Sequence, residues 1–170
     1  MSSTSDRALA LARPVIQVLT VLNIFYALIV ALLLGASFFM EGWPKRPLGI
    51  ELVTKYPLAP IGLQAIIVLG LLGAAIVHNI LRRLLAIVDT VRIGDPFILD
   101  NARRLHAIAW SVLAIEVLRL VIVAIASAVW EPGHMGGSSF TPWLSVLLLF
   151  VLAGVFAQGA RMRADLEGTV

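Results

Sequence analysis

Four apolar runs, each about as long as a bilayer-crossing helix, constrain this chain more than any other feature. They cover approximately Val15–Met40, Ile61–Ile80, Leu105–Val129 and Trp143–Ala160. About 20 consecutive apolar residues suffice for a helix to cross the hydrocarbon layer. A helix also satisfies its backbone N–H and C=O groups internally, as lipid demands. The expected fold is therefore all-α: a four-helix transmembrane bundle, with residues 1–170 forming a single integral-membrane domain.

Composition supports this and removes other classes. AVILMFWYC residues make up 60% of the chain, only 14% are charged, and mean hydropathy is +0.98. A typical soluble domain is roughly half apolar and about a quarter charged. With no cysteine, the chain has neither disulfides nor thiolate metal sites. The pI of about 10 is not a nucleic-acid signature, because net charge is only +3 and the basic residues flank the apolar runs.

Those basic residues orient the spans. Arg7, Arg13, Arg82, Arg83, Arg92, Arg103, Arg104, Arg161 and Arg163 fall on one side, against Lys45, Arg46 and Lys55 on the other. The positive-inside rule predicts both termini and the middle loop in the cytoplasm. Trp43, Tyr56, Trp130 and Trp143 then cluster at the outer interface, with Trp110 and Phe97 nearer the inner one. Gly35-Ala36-Ser37 offers small residues for signal cleavage. The first apolar run is nevertheless far longer than the roughly 7–15 residues of a signal h-region, so it reads as an uncleaved anchor. Pro14, Pro60 and Pro142 each stand just before a span, where a missing N–H costs little.

The middle loop has its own pattern. Leu81, Leu84, Leu85, Val88 and Val91 recur at helical spacing, with Arg82, Arg83, Asp89 and Arg92 elsewhere on the wheel. The second helix is expected to continue about three turns into the cytoplasm, or to bend along the membrane surface. Gly94 suits a left-handed cap, Asp95-Pro96 prevents resumption, and Asp100 or Asn101 caps the third helix. Arg82, Arg83, Arg103 and Arg104 form a basic surface around this turn, and Phe97 is placed to anchor it at the interface. Such a surface faces lipid head groups or docks a cytoplasmic protein.

The main polar signal lies within the third run. On the insertion scale, Leu, Ile or Val contributes roughly −0.3 to −0.6 kcal/mol and a central charge costs about +2.5 to +3.5. The run holds 13 Leu, Ile and Val residues, worth about −4 to −8 kcal/mol, so two unpaired charges at about +5 to +7 would cancel most or all of it. Glu116 and Arg119 are three residues apart, on one helix face, and are expected to pair and point inward. Matching depths from the span ends adds Asn23 and Tyr26 of the first span, and Ser145 of the fourth, to a midplane cluster. Such a cluster holds helices in register, forms a switch or sensing site, or lines an ion path. Gly70, Gly73 and Ala74, and likewise Ala153, Gly154 and Ala157, fit small-xxx-small helix packing.

No phosphate-cradling glycine loop, zinc-type histidine pair or nucleophile elbow occurs. His78, His106 and His134 fall at different depths and cannot share a metal. The chain is read as a non-enzyme, with no catalytic residues, no metal and no cofactor.

Two stretches carry a family resemblance. One is Gly94-Asp95-Pro96-Phe97 followed by Asn101, Arg104-Leu105 and Ile108. The other is Val155-Phe156-Ala157-Gln158-Gly159-Ala160-Arg161-Met162-Arg163-Ala164-Asp165-Leu166-Glu167-Gly168-Thr169-Val170. Together they resemble the bacterial membrane family called domain of unknown function 2975, over essentially the whole chain. The resemblance implies a four-helix inner-membrane protein. Family members encoded beside small helix-turn-helix repressors hint at regulation, and the family supplies no catalytic residues.

The preferred expectation is a regulatory or sensory membrane protein acting through Arg82–Arg104 and the C-terminal tail. Its partners are the bilayer, a cytoplasmic regulatory protein and further copies of itself, without direct nucleic-acid contact. The alternatives are an oligomeric solute or ion transporter built on Glu116 and Arg119, and an accessory subunit of a larger complex.

Overall fold

The computed structural model describes residues 4–39, 43, 54–94, 96–130 and 140–167. Four helices account for nearly all of them: α1 (Thr4–Phe39), α2 (Ala59–Arg92), α3 (Leu99–Val129) and α4 (Thr141–Glu167). All four are long and apolar enough to cross a membrane. Asp95, Lys45, Arg46, His134 and the residues after Glu167 lie outside the described residues.

The helices overrun the apolar runs, because helical hydrogen bonding continues wherever nothing interrupts it. α1 begins well before Val15, so Pro14 lies inside the helix rather than ahead of it. Its ring leaves the Ala10 carbonyl without the usual donor. Pro60 and Pro142 stand in the first turns of α2 and α4, where that donor is not needed. α2 is one unbroken helix that carries the predicted extension to Arg92. Gly94 then takes φ +94°, and its N–H donates to the Val91 carbonyl at 3.1 Å, one of the two bonds of a Schellman cap. The start of α3 differs from expectation. Ile98 is its N-cap, without a side-chain hydrogen bond, and Asn101 turns inward instead.

Each helix packs extensively on the next in sequence: α1 on α2, α2 on α3 and α3 on α4. Every contact is antiparallel. On α1 and α2, Arg13 meets Asp89 at 3.4 Å, Asn23 meets the Ala74 carbonyl and Ser37 meets Gln64. On α2 and α3, Asn101 meets Thr90 at one end and Val129 crosses Gly62 at the other. The start of α1 and the end of α4 therefore lie at the arginine-rich end of the helix set, called the basic end below.

The buried residues are mostly small: Ala59, Ala74, Ala102, Ala109, Ala126, Ala153 and Ala160, with a few Leu, Ile and Val. Large side chains such as Phe25, Leu32 and Phe38 point outward. Lipid tails are as apolar as leucine, so these helices gain from close backbone approach rather than from hiding bulk. Gly70 and Gly73 serve that approach. A Cβ on Gly70 would lie 3.4 Å from the Tyr26 hydroxyl of α1, and one on Gly73 would lie 3.3 Å from Leu118 of α3. Gly154 does not serve it, contrary to the small-xxx-small expectation, because a Cβ there meets nothing within 4 Å.

Candidate functional site

Glu116 is 4% exposed on α3, in the middle of a span otherwise built of apolar side chains. One helical turn on, Arg119 folds back over it. The Arg119 Nε–H donates to both carboxylate oxygens at 3.1 and 3.0 Å, and Nη2 donates to Oε1 at 2.6 Å. The i, i+3 spacing puts both groups on one face, and the planar guanidinium matches the carboxylate. The pair is thus closed within a single helix. The carboxylate lies deep between helices, while the arginine side chain retains 38% exposure.

That exposed edge of Arg119 borders a crevice of about 280 Å³ between α1, α2 and α3, which Asn23, Tyr26, Gly70 and Gly73 also line. Asn23 does not bond the ion pair. Its amide donates to the Ala74 carbonyl at 3.0 Å and ties α1 to α2. Tyr26 lies across Gly70 and is half exposed.

Ser145 stands elsewhere. Phe97 meets Phe156 and Gly159, and His106 meets Phe150. Continued up the helices, that register brings Ser145 opposite residues near Ser111, about two turns short of Arg119. Its hydroxyl donates to the Thr141 carbonyl of its own helix. Equal starting depths for α3 and α4 do not hold, because aromatic packing at the basic end slides α4 toward that end.

The second predicted group surrounds the turn between α2 and α3. Asn101 is fully buried. Its Nδ2 donates to Thr90 Oγ1 at 2.7 Å and to the Pro96 carbonyl at 3.0 Å, and its Oδ1 accepts from Arg104 Nη1 at 2.8 Å. Thr90 passes the chain on to the Ile87 carbonyl at 2.7 Å. One side chain thereby joins the end of α2, the turn and the start of α3. Phe97 packs on Phe156 with ring centroids 5.2 Å apart, and its ring edge lies 3.0 Å from where a Gly159 Cβ would stand. The absent side chain at Gly159 makes the seat.

The arginines divide by role. Arg104 is committed to Asn101, and Arg83 donates to Asn79 at 3.2 Å. Arg103 makes a loose 3.4 Å contact with Asp100, both well exposed, and Arg82 is exposed. An ion pair of that kind contributes little to stability.

A cluster the sequence reading missed joins α3 to α4. The Trp110 Nε1–H donates to His106 Nε2 at 3.1 Å, and Phe150 packs edge-on against both rings, at 5.3 and 5.4 Å between centroids. The i, i+4 spacing of His106 and Trp110 was the available signal; the partner on α4 was not legible. Among the described residues, no three of His, Asp or Glu gather in a way that would hold a metal.

Four helices long and apolar enough to cross a membrane, one of them carrying a self-paired charge, define a multi-pass membrane protein. Residues 40–170 match the family described as Protein of unknown function (DUF2975), and the chain belongs to that family. No curated protein and no solved structure matches it significantly.

Proposed function

We propose that this protein is a non-enzymatic regulatory or sensory component of a bacterial inner membrane, with its basic end in the cytoplasm. The observation that carries this reading is the contrast between the two polar groups. The ion pair is satisfied within its own helix, as a group that holds structure would be. The basic end, by contrast, presents exposed Arg92, Arg103 and Arg161 near a turn braced by Asn101, with exposed Arg82 nearly three turns back along α2. Rigid placement of exposed charge is what a docking surface for an acidic partner needs. Nine of the chain's basic residues on that end favour its cytoplasmic orientation.

The test is affinity capture from native membranes, using the full chain and a variant with Arg82, Arg83, Arg103 and Arg104 changed to Gln. Because the chain has no cysteine, single cysteines at Arg92 and Phe140 report topology in the same cells. The reading expects a discrete partner retained only by the unaltered chain, with Arg92→Cys reactive from the cytoplasmic side alone. A partner held equally by both proteins, or Arg92→Cys labelled from outside, would overturn it.

The transporter reading has one supporting observation, the crevice beside Arg119. The crevice is small and mostly apolar. Flux into liposomes that disappears with Arg119→Leu would favour it.

A further inference from the structure

Beside the α3–α4 contact, toward the basic end, lies an open groove of about 650 Å³ lined by residues of both helices, within the size range of small-molecule sites. Its walls are Trp110, Phe150, Ala153 and Gly154, and Arg103 and Arg161 stand at its mouth. We propose that this groove is a binding site for an anionic phospholipid, with the phosphate held by Arg103 and Arg161 and one acyl chain lying along the apolar wall.

Three observations carry the assignment. The first is position. Arg103 lies seven residues before Trp110, about 10 Å along α3 at 1.5 Å per residue. Arg161 lies nearer the basic end still, so the charges precede the Phe150 and Trp110 part of the wall along the spans, in the order of a lipid's head group and chain.

The second is charge complementarity. Among the described residues, no acidic side chain lines the groove. Arg103 pairs with Asp100 at 3.4 Å, and the side chains of this pair are 73% and 62% exposed. A contact so exposed yields at little cost to a phosphate, which offers a guanidinium more acceptor oxygens. Basic pockets between spanning helices are a recurrent form of lipid head-group site.

The third is vacancy on α4. Small residues usually mark a helix contact, yet a Cβ on Gly154 would meet nothing within 4 Å. Ala153 is buried, so the small face seats α3 there, while at Gly154 it leaves open space. By the His106–Phe150 register Gly154 lies level with Ala102 and Arg103, so the space there would take the upper part of a chain whose phosphate the arginines hold nearer the basic end.

Trp110 forms part of the wall and can report occupancy. In a variant retaining only this tryptophan (Trp43, Trp130 and Trp143 changed to Phe), the purified full chain is placed in phosphatidylcholine bilayers. These are titrated with brominated phosphatidylglycerol or, separately, brominated phosphatidylcholine. Each arginine near an anionic head group favours it about five-fold. Half-maximal quenching is accordingly expected at a mole fraction at least about ten-fold lower for phosphatidylglycerol. Changing Arg103 and Arg161 to Gln should bring the two lipids within about two-fold of each other. Gly154→Leu, which has room to fold, should reduce quenching by both lipids while leaving the circular dichroism unchanged.

Equal quenching by the two lipids in the parent protein would overturn the proposal, as would a preference that survives the double Gln change. Relief of phosphatidylglycerol quenching by millimolar inorganic phosphate would assign the arginines to a free anion and overturn it too.

Discussion

Asn101→Ala is the most informative single perturbation of the basic-end turn. The amide is fully buried and makes three hydrogen bonds, to Thr90, Pro96 and Arg104, at 2.7 to 3.0 Å. Side-chain hydrogen bonds in membrane proteins average about 0.6 kcal/mol, so three imply about 2 kcal/mol. The upper end is about 3 kcal/mol, the cost of leaving a buried polar group unsatisfied. Two partners soften that limit: Arg104 is half-buried and can turn to water, and the Thr90 hydroxyl still donates to Ile87. The expected loss is therefore about 2 kcal/mol, read as the change in unfolding free energy in a detergent titration of the protein in bicelles. Asn101→Asp sharpens the test. It keeps the oxygen that accepts from Arg104, removes both donors, and sets a carboxylate against the Pro96 carbonyl. It should be no more stable than Asn101→Ala. An Asp variant as stable as the parent would show that only the Arg104 contact matters. A loss below about 0.5 kcal/mol for Ala would refute the brace altogether.

Gly62→Ala should destabilise the α2–α3 contact, since the new Cβ would lie 2.6 Å from Val129 Cγ2. Val129→Ala in the same chain should restore most of the lost thermal stability, and no recovery would count against the close approach. For the ion pair, Glu116→Leu and Arg119→Leu should each lower resistance to detergent unfolding, because each leaves an intramembrane charge without its partner. The double Leu variant should match or exceed either single, since breaking a buried pair costs more than replacing it with apolar groups. Additive losses in the double variant would show that the two residues are not energetically coupled.

Much of this protein was legible in its sequence, for reasons that lie in the solvent rather than in the fold. Lipid forces long apolar helices, so helix number and approximate spans follow from run length alone. The cost of intramembrane charge, with i, i+3 spacing, is enough to pair Glu116 with Arg119. A glycine followed by Asp95-Pro96 is enough to end α2 at Gly94, because no other residue adopts positive φ so cheaply. These are local or solvent-imposed constraints, and the residues concerned carry them wherever the helices end up.

Neighbour relations were decided only by the tertiary structure. Depth counted from span ends put Ser145 beside Arg119, but packing of Phe97 on Gly159 and of His106 on Phe150 shifts α4 by about two turns. The sequence reads Asn101 as a candidate helix cap, and the proximity of Thr90 on another helix makes it a brace instead. Gly70, Gly73 and Gly154 look alike in the sequence, yet two receive a neighbouring helix and one opens a groove. Sliding or rotating one apolar helix against another changes little in what lipid sees. The choice therefore falls to steric fit and a few hydrogen bonds between residues far apart in the chain.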